Sequence, residues 1–234
     1  HTLYRIRALK SFGTIEKDSL GGYIESEYNL SHNGECWVSD NAKVCGNARV
    51  YEDATILGNV IIKGGARIFN RAIVSESAIV DGDASIFGDA RVMGHAIIFG
   101  GPKIFGCVAV RDGARVFDKA SVYEYATIRD KAIISGEAKI YGKSKVFNIA
   151  WVRGKAEIYG RAMIYGKTYI EGRAHIFDGA QIFNANISGK PYIFGYTKIL
   201  SESIIKGQAY IESGRDYIAI SPIGSEDGVL TAFR

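Results

Sequence analysis

Residues 42–59 read AKVCGN, ARVYED and ATILGN, three hexads with alanine in first place and valine or isoleucine in third. The branched residue recurs at every sixth position from Val44 to Ile182, through 24 consecutive hexads. Two residues before it the chain has alanine in 19 of the 24 hexads, and two residues after it Gly, Asn or Asp in 21, the exceptions being Glu52, Glu76 and Glu124. So short and constant a period indicates a repeat architecture of stacked identical units.

Each hexad describes one short strand followed by a corner. The alanine and the branched residue lie two positions apart, so in an extended strand both point to the same side, which we expect to be the interior. Gly, Asn and Asp tolerate positive φ, as a corner requires. A helix is excluded, because a six-residue period does not keep one stripe on one helical face and the repeated glycines would destabilise it.

The number of hexads in one turn follows from the position just after the branched residue. Every third hexad has an aromatic residue there, which predicts that residues 18 apart are neighbours and that three hexads close one triangular coil. After Asn184 the pattern slips by one residue and resumes at Ile187, which indicates a corner shortened by one residue inside one solenoid. We call the aromatic residues at this position of every third hexad the aromatic ladder. Its members are Tyr51, Phe69, Phe87, Phe105, Tyr123, Tyr141, Tyr159, Phe177 and, after the slip, Phe194.

Over roughly residues 30–212 the chain resembles the left-handed parallel β-helix proteins of the hexapeptide-repeat superfamily, whose triangular coils contain 18 residues. The resemblance implies an all-β fold, a left-handed solenoid of about ten coils, and no single function. The flanking residues are similar to those of uncharacterised hexapeptide-repeat proteins of bacteria and their phages. The residues that carry this second likeness are Leu20-Gly21-Gly22, Asn29-Leu30-Ser31, Trp37-Val38 and Ile223-Gly224-Ser225.

The ends of a solenoid need caps, because terminal coils expose unpaired strand edges. We predict an N-terminal β cap over residues 1–29, with a strand between Leu3 and Leu9, a β-helix over 30–212, and a C-terminal strand pair over 213–234. The pair is expected at Tyr217 to Ile220 and Val229 to Phe233, joined by a turn at Ser225-Glu226-Asp227-Gly228. The second strand is close to the last residue, so we expect the native chain to continue past Arg234.

Composition narrows the class of protein. The chain has 234 residues, 47% of them hydrophobic, and this length and hydrophobic content are ample for one domain. Its net charge is +4. It contains no apolar run near 18 residues, and we expect no membrane partner. The cysteines Cys36, Cys45 and Cys107 are odd in number and lack metal-ligand spacing, so we expect free thiols, a cytoplasmic location and no metal site.

The resemblance implies an enzyme as one alternative, because many hexapeptide-repeat proteins are acyltransferases that use a histidine between subunits. The weak catalytic candidates are His95, in a corner, and His175, which we expect to stack on Glu157 one coil earlier. Acyl-coenzyme A would be the cofactor under this alternative, and otherwise no cofactor is expected. The 24 hexads contain no insertion, however, and active sites are usually built on loops carried by a scaffold. We therefore favour a protein without enzymatic activity.

The aromatic ladder is the main candidate for a functional surface. An exposed strip of stacked rings would be larger than the apolar patch a soluble monomer usually tolerates, so the strip must be covered or used. The alternatives are rings that stack with one another and with a terminal segment purely for stability, a subunit interface, and a platform for sugar rings or bases. A second apolar row, with Ile61, Ile79 and Ile97 among its members, lies on the preceding side. We predict a structural or interaction module that forms a homodimer or homotrimer through the ladder and binds another protein. A filament-forming solenoid is a further alternative, and no nucleic-acid partner is expected, because basic residues fall on all three edges.

Overall fold

The computed structural model describes residues 2–200 and 202–213 in full, together with the backbone of two strands, Tyr217–Ile223 and Gly228–Phe233. It divides into two compact units, residues 1–118 and 119–234. In each unit the chain winds through three parallel sheets, and residues 18 apart are partners in neighbouring strands, as with Ile79 and Ile97. The chain makes about ten such turns. The all-β, three-sided solenoid with 18-residue coils is therefore confirmed.

The first unit has three sides, which we number in chain order. Side 1 contains Leu20–Ile24, Lys43–Val44, Ile61–Ile62, Ile79–Val80, Ile97–Gly100 and Arg115–Asp118. Side 2 contains Arg49–Val50, Arg67–Ile68, Ser85–Gly88 and Lys103–Gly106. Side 3 contains Trp37–Val38, Thr55–Ile56, Ile73–Val74, Arg91–Val92 and Ala109–Val110. A short 3-10 helix, Glu27–Asn29, precedes the regular hexads.

The second unit repeats this plan, and its sides take the numbers given by the same 18-residue spacing. Side 1 contains Ile133–Ile134, Trp151–Val152, Tyr169–Ile170, Ala185–Ile187 and Ser203–Ile205. Side 2 contains Ser121–Val122, Lys139–Ile140, Glu157–Ile158, His175–Ile176, Tyr192–Ile193 and Tyr210–Ile211. Side 3 contains Thr127–Ile128, Lys145–Val146, Met163–Tyr165, Gln181–Phe183 and Lys198–Ile199.

The interior is built as the hexad predicts. The branched residues and the alanines two positions before them are buried, most with no exposed surface. Four polar residues, Ser144, Thr168, Thr197 and Ser203, replace alanine in the interior of the second unit. The hydroxyls of the first three donate to the carbonyl oxygen three residues earlier: Ser144 to Tyr141 at 2.7 Å, Thr168 to Tyr165 at 2.6 Å and Thr197 to Phe194 at 2.8 Å. Among the described residues no buried side-chain nitrogen or oxygen lacks a partner, so these substitutions add no unsatisfied group to the core.

The corner slots adopt positive φ, as predicted for Gly, Asn and Asp. The three glutamates that break the sequence rule do so as well, with φ of 58° at Glu52, 63° at Glu76 and 63° at Glu124. The left-handed conformation is strained for a side chain with a Cβ. The repeat thus imposes the corner geometry even where the residue type does not favour it.

Acidic and amide side chains in the corner slot bind the next coil. The carboxylate of Glu52 accepts the backbone N–H of Asn70 at 3.0 Å, and Glu124 accepts that of Gly142 at 2.9 Å. Asp130 accepts the N–H of Asn148 at 2.8 Å in the same way. In each case the donor is 18 residues further on, so these bonds connect successive coils.

The one-residue slip after Asn184 is confirmed by the strand register. On side 1 of the second unit Ile170 is the partner of Ile187, a separation of 17 rather than 18 residues. Asn184 has a φ of 52°, and its side-chain oxygen accepts the backbone N–H of Lys167 at 2.8 Å. At other corners a backbone carbonyl accepts the equivalent N–H, for example the carbonyl of Asp178 from Arg161. The asparagine side chain therefore replaces the acceptor that the shortened corner lacks.

The terminal segments contain the expected strands. Tyr4–Arg7 pairs antiparallel with Leu20–Ile24, and Tyr217–Ile223 pairs antiparallel with Gly228–Phe233. The predicted turn residues Ser225 to Asp227, and Gly224 of the flanking motif, lie outside the described residues. The predicted boundaries at residues 29/30 and 212/213 stay predictions.

Candidate interaction surface

The aromatic ladder forms a face-to-face stack in each unit. In the first unit Tyr51, Phe69, Phe87 and Phe105 stack with ring centroids 4.8, 4.8 and 4.9 Å apart and planes within 8° of parallel. In the second unit the separations along Tyr123, Tyr141, Tyr159, Phe177 and Phe194 are 4.8, 4.9, 4.7 and 5.0 Å. The spacing equals that of neighbouring strands, about 4.8 Å. Each ring is thus carried by its own strand and faces its counterparts one coil away.

Stacking covers the ring faces and leaves the rims at the surface. All nine ladder rings are half-buried, so none is as exposed as an isolated surface aromatic would be. Partial burial raises the pKa of the Tyr51, Tyr123 and Tyr159 phenols above the usual value, and that of Tyr141 further, with Glu157 adding to the last. The tyrosine hydroxyls consequently stay neutral throughout the physiological range. The surface that results is a rigid, uncharged strip of ring edges.

The side 1 row is apolar and only partly buried. In the first unit Ile61, Ile79 and Ile97 are partners on successive strands, and Phe99 beyond them is 54% exposed. In the second unit the equivalent positions are Ile133, Trp151 and Tyr169, with Trp151 and Tyr169 edge to face at 5.3 Å. This row is on a flat side, whereas the ladder follows the corner between sides 2 and 3. In each unit the side 1 row and the aromatic ladder are therefore separate apolar surfaces.

Trp151 and Tyr169 belong to a polar and aromatic cluster on side 1. Arg153 lies over both rings, at 5.3 and 4.9 Å from their centroids, and donates to the carboxylate of Glu171 at 2.6 Å. The Tyr169 hydroxyl donates to the same carboxylate oxygen at 3.1 Å. The hydrogen bond from Arg153, followed by that from Tyr169, lowers the pKa of Glu171. Because its charges are mutually satisfied, this cluster stabilises side 1 without leaving a free charged group.

A second aromatic stack is present in the second unit at the corner after side 3. Phe147 and Tyr165 stack at 5.1 Å and 4°, Phe183 follows at 5.0 Å with a tilt of 33°, and the guanidinium of Arg129 covers the free end at 4.5 Å. Sequence reasoning missed this stack. The signal was the same 18-residue spacing, confined to three coils.

The histidine candidates differ in their surroundings. His175 and Glu157 are strand partners, as predicted, but Nδ1 and the nearest carboxylate oxygen are 3.9 Å apart, too far for a hydrogen bond. The other Glu157 oxygen is bound by Lys139 at 2.8 Å, and the imidazole stacks on Tyr192 at 4.7 Å. His95 is exposed in its corner, and the described residues offer its side chain no hydrogen-bond partner. Neither histidine is held in the geometry of a general base with an orienting carboxylate.

The three cysteines are free thiols. Cys36 is buried, Cys45 is half-buried and Cys107 is exposed, and burial raises the pKa of Cys36 to about 11. The described residues contain no group of three or more His, Cys, Asp or Glu side chains that could hold a metal ion. Within the same part of the chain no helix is long and apolar enough to cross a bilayer.

The last coils carry exposed aromatic and aliphatic side chains that sequence reasoning did not single out. Tyr192 is 41% exposed, Tyr210 is 63% exposed and Tyr196 is 89% exposed, with Leu200 and Ile204 also exposed nearby in sequence. Tyr210 packs edge to face on Phe194 at 5.0 Å. The signal available was the appearance of tyrosine at outward positions that charged or small residues occupy in earlier coils.

No known family model matches the chain, and no curated protein is similar to it.

Proposed function

We propose that this protein is a non-enzymatic structural or interaction module that associates with itself through the aromatic ladder, as a homodimer or homotrimer, and binds a protein partner. The observation that carries the proposal is the stacked, half-buried ladder with its continuous strip of ring rims in each unit. Aromatic anchors dominate the energetics of protein interfaces. Rings already fixed by stacking lose little conformational freedom when a partner covers them, which favours association.

Membership of the left-handed hexapeptide-repeat superfamily, with a likeness to phage and bacterial proteins, is part of this proposal. Its support is the 18-residue, three-sided coil with alanine and branched residues inside. We also propose a cytoplasmic location, supported by the three free thiols.

The test is to replace Phe87 and Phe105 together by serine and measure the molecular mass by sedimentation at several concentrations. Truncating an interface anchor typically weakens binding by about tenfold or more, so we expect the double variant to shift toward monomer. The matched control replaces Ile79 and Ile97 by serine on the same two coils of the first unit, at the side 1 row. This control should associate like the wild type.

Three other results of these experiments would each favour a different role for the ladder or a different interface. An unchanged mass with a large loss of thermal stability would mean that the ladder rings serve only to stabilise the monomer. Dissociation of the Ile79/Ile97 variant instead would place the interface on side 1. Long end-to-end polymers in negative-stain images would favour the filament alternative.

An acyltransferase-like enzyme with its site between subunits is the second candidate, and its support is that His175 and Glu157 are partners on neighbouring strands. Under this alternative acyl-coenzyme A is the cofactor. Transfer of the acyl group from acyl-coenzyme A to an amine or hydroxyl acceptor, with release of coenzyme A and with loss of the activity in His175→Ala, would replace the leading proposal.

A further inference from the structure

The last coils of the second unit contain a surface depression of about 480 Å³, which has no part in the proposed self-association. Its walls combine cationic and aromatic side chains, and the main contributors are Arg173, His175, Lys190, Tyr192, Gln208 and Tyr210. We infer that this depression binds a small organic phosphate whose phosphate group lies next to an aromatic ring.

The cationic wall is formed by Arg173 and Lys190, which occupy the same edge on successive coils. The Arg173 N–H donates to the carbonyl of Gly189, next to Lys190 in the chain, at 2.7 Å. Neither cation forms an ion pair with an acidic side chain in the part of the chain that the structure describes. Lys155, one coil earlier on this edge, is by contrast 3.3 Å from the carboxylate of Glu137. Within the described residues, the two later cations are therefore not engaged by a carboxylate.

Two cations at the same edge of successive coils suit a phosphate group. Strand spacing is about 4.8 Å, which allows both side chains to reach oxygens of one tetrahedral anion. A guanidinium binds phosphate through two parallel N–H donors, and an ammonium adds a compact charge. Glu157, the strand partner of His175, is bound through one carboxylate oxygen by Lys139 at 2.8 Å, and its other oxygen is 3.9 Å from His175 Nδ1.

The aromatic wall consists of two stacked rings, His175 and Tyr192, and a third ring, Tyr210, that is tilted away from them. His175 and Tyr192 are parallel at 4.7 Å, whereas Tyr192 and Tyr210 are 5.9 Å apart and tilted by 34°. Tyr210 is turned onto the ladder ring of Phe194, 5.0 Å away and at 71°. The regular stacking therefore ends at Tyr192, and the two exposed tyrosine rings offer surface to a planar group beside the cations.

The first experiment is an NMR titration of the full chain with phenyl phosphate, inorganic phosphate and phenol. An aromatic contact strengthens binding by roughly 2- to 10-fold, so phenyl phosphate should bind more tightly than inorganic phosphate by about that factor. Phenol should bind more weakly than either. Equal affinities for phenyl phosphate and inorganic phosphate would overturn the aromatic part of the inference, and saturation by phenol alone would overturn the phosphate part.

Two pairs of variants locate the site. The double variant Arg173→Gln/Lys190→Gln should weaken phenyl phosphate binding at least about tenfold. Its control, Lys155→Gln on the same edge, should leave the affinity unchanged. Tyr210→Leu should remove the preference for phenyl phosphate over inorganic phosphate. Tyr196→Leu, which changes an exposed tyrosine outside the depression, should keep it. Thermal melts check folding, and equal effects of the site and control variants would refute the site.

A final arm separates a free ligand from a phosphorylated protein. A short phosphotyrosine peptide carries the same phosphate and ring as phenyl phosphate. If it binds no more tightly than phenyl phosphate, the small-molecule assignment stands. A gain of tenfold or more would show that the depression is one part of a peptide site and would overturn the assignment to a small molecule. Because the variants lie outside the ladder, failure here leaves the self-association test unaffected.

Discussion

Replacing Glu76 by glycine is expected to stabilise the protein, whereas the same replacement at Glu52 is expected to destabilise it. Both glutamates occupy corner slots of the first unit with positive φ, 63° and 58°. They differ in one respect. The Glu52 carboxylate accepts the backbone N–H and the side-chain amide of Asn70 in the next coil, while the side chain of Glu76 makes no such bond to any residue that the structure describes.

The magnitudes come from three effects. The left-handed conformation costs a residue with a Cβ about 1 to 2 kcal/mol, which glycine removes. Glycine also adds freedom to the unfolded chain, which costs roughly 0.4 to 1 kcal/mol. At Glu76 the balance is a gain of about 0.5 kcal/mol. At Glu52 the two lost hydrogen bonds take away about 1 to 2 kcal/mol more, because each contributes roughly 0.5 to 1 kcal/mol on an exposed surface. The two variants should therefore differ by more than about 1 kcal/mol.

Urea unfolding followed by circular dichroism measures this difference. The conformational effects are common to both variants, so the gap between their midpoints reports mainly the bonds from Glu52 to the next coil. Glu52→Gln, which keeps an acceptor oxygen, should lie close to the wild type. Equal shifts of Glu52→Gly and Glu76→Gly in the same direction would refute the role of the carboxylate. A clear loss of stability in Glu76→Gly would refute the argument from backbone strain.

Three further predictions test the core and the thiols. Ile98→Asp should unfold the protein, because a buried unpaired charge costs more than the marginal stability of a domain, whereas the outward Lys103→Asp should leave the melting temperature nearly unchanged. Ser144→Ala should change the free energy of unfolding by less than about 1 kcal/mol, since alanine fills this slot in most coils; a larger loss in urea unfolding would contradict this. Under native conditions a thiol reagent should modify exposed Cys107 rapidly and Cys36 slowly at pH 7 to 9, because the raised pKa of Cys36, about 11, keeps it a neutral thiol until higher pH; equal rates would contradict the burial of Cys36.

The sequence predicts the interior and the ladder because each depends on a period alone. Val44, Ala48 and the equivalent residues of later coils are buried since every strand alternates inward and outward positions. The ladder follows from parallel pairing with an 18-residue repeat, which places like residues next to one another. The slip after Asn184 was visible for the same reason. The period does not predict how the shortened corner replaces its missing acceptor, because the hydrogen bond from the Lys167 N–H to the Asn184 side chain depends on the local geometry.

The functional part of the surface is harder to predict because the repeat constrains inward residues and leaves outward ones free. The stack of Phe147, Tyr165 and Phe183 spans three coils, too few to stand out from chance at a variable position. The proposed phosphate site depends on the shortened corner, which places Lys190 one coil after Arg173 at a separation of 17 residues and pairs Tyr192 with His175. Those residues acquire a shared chemistry only once the coils are stacked. In a solenoid, the outward positions that indicate a binding site are those where cations form no ion pair and a regular aromatic stack ends. Among the described residues, the last coils combine both features.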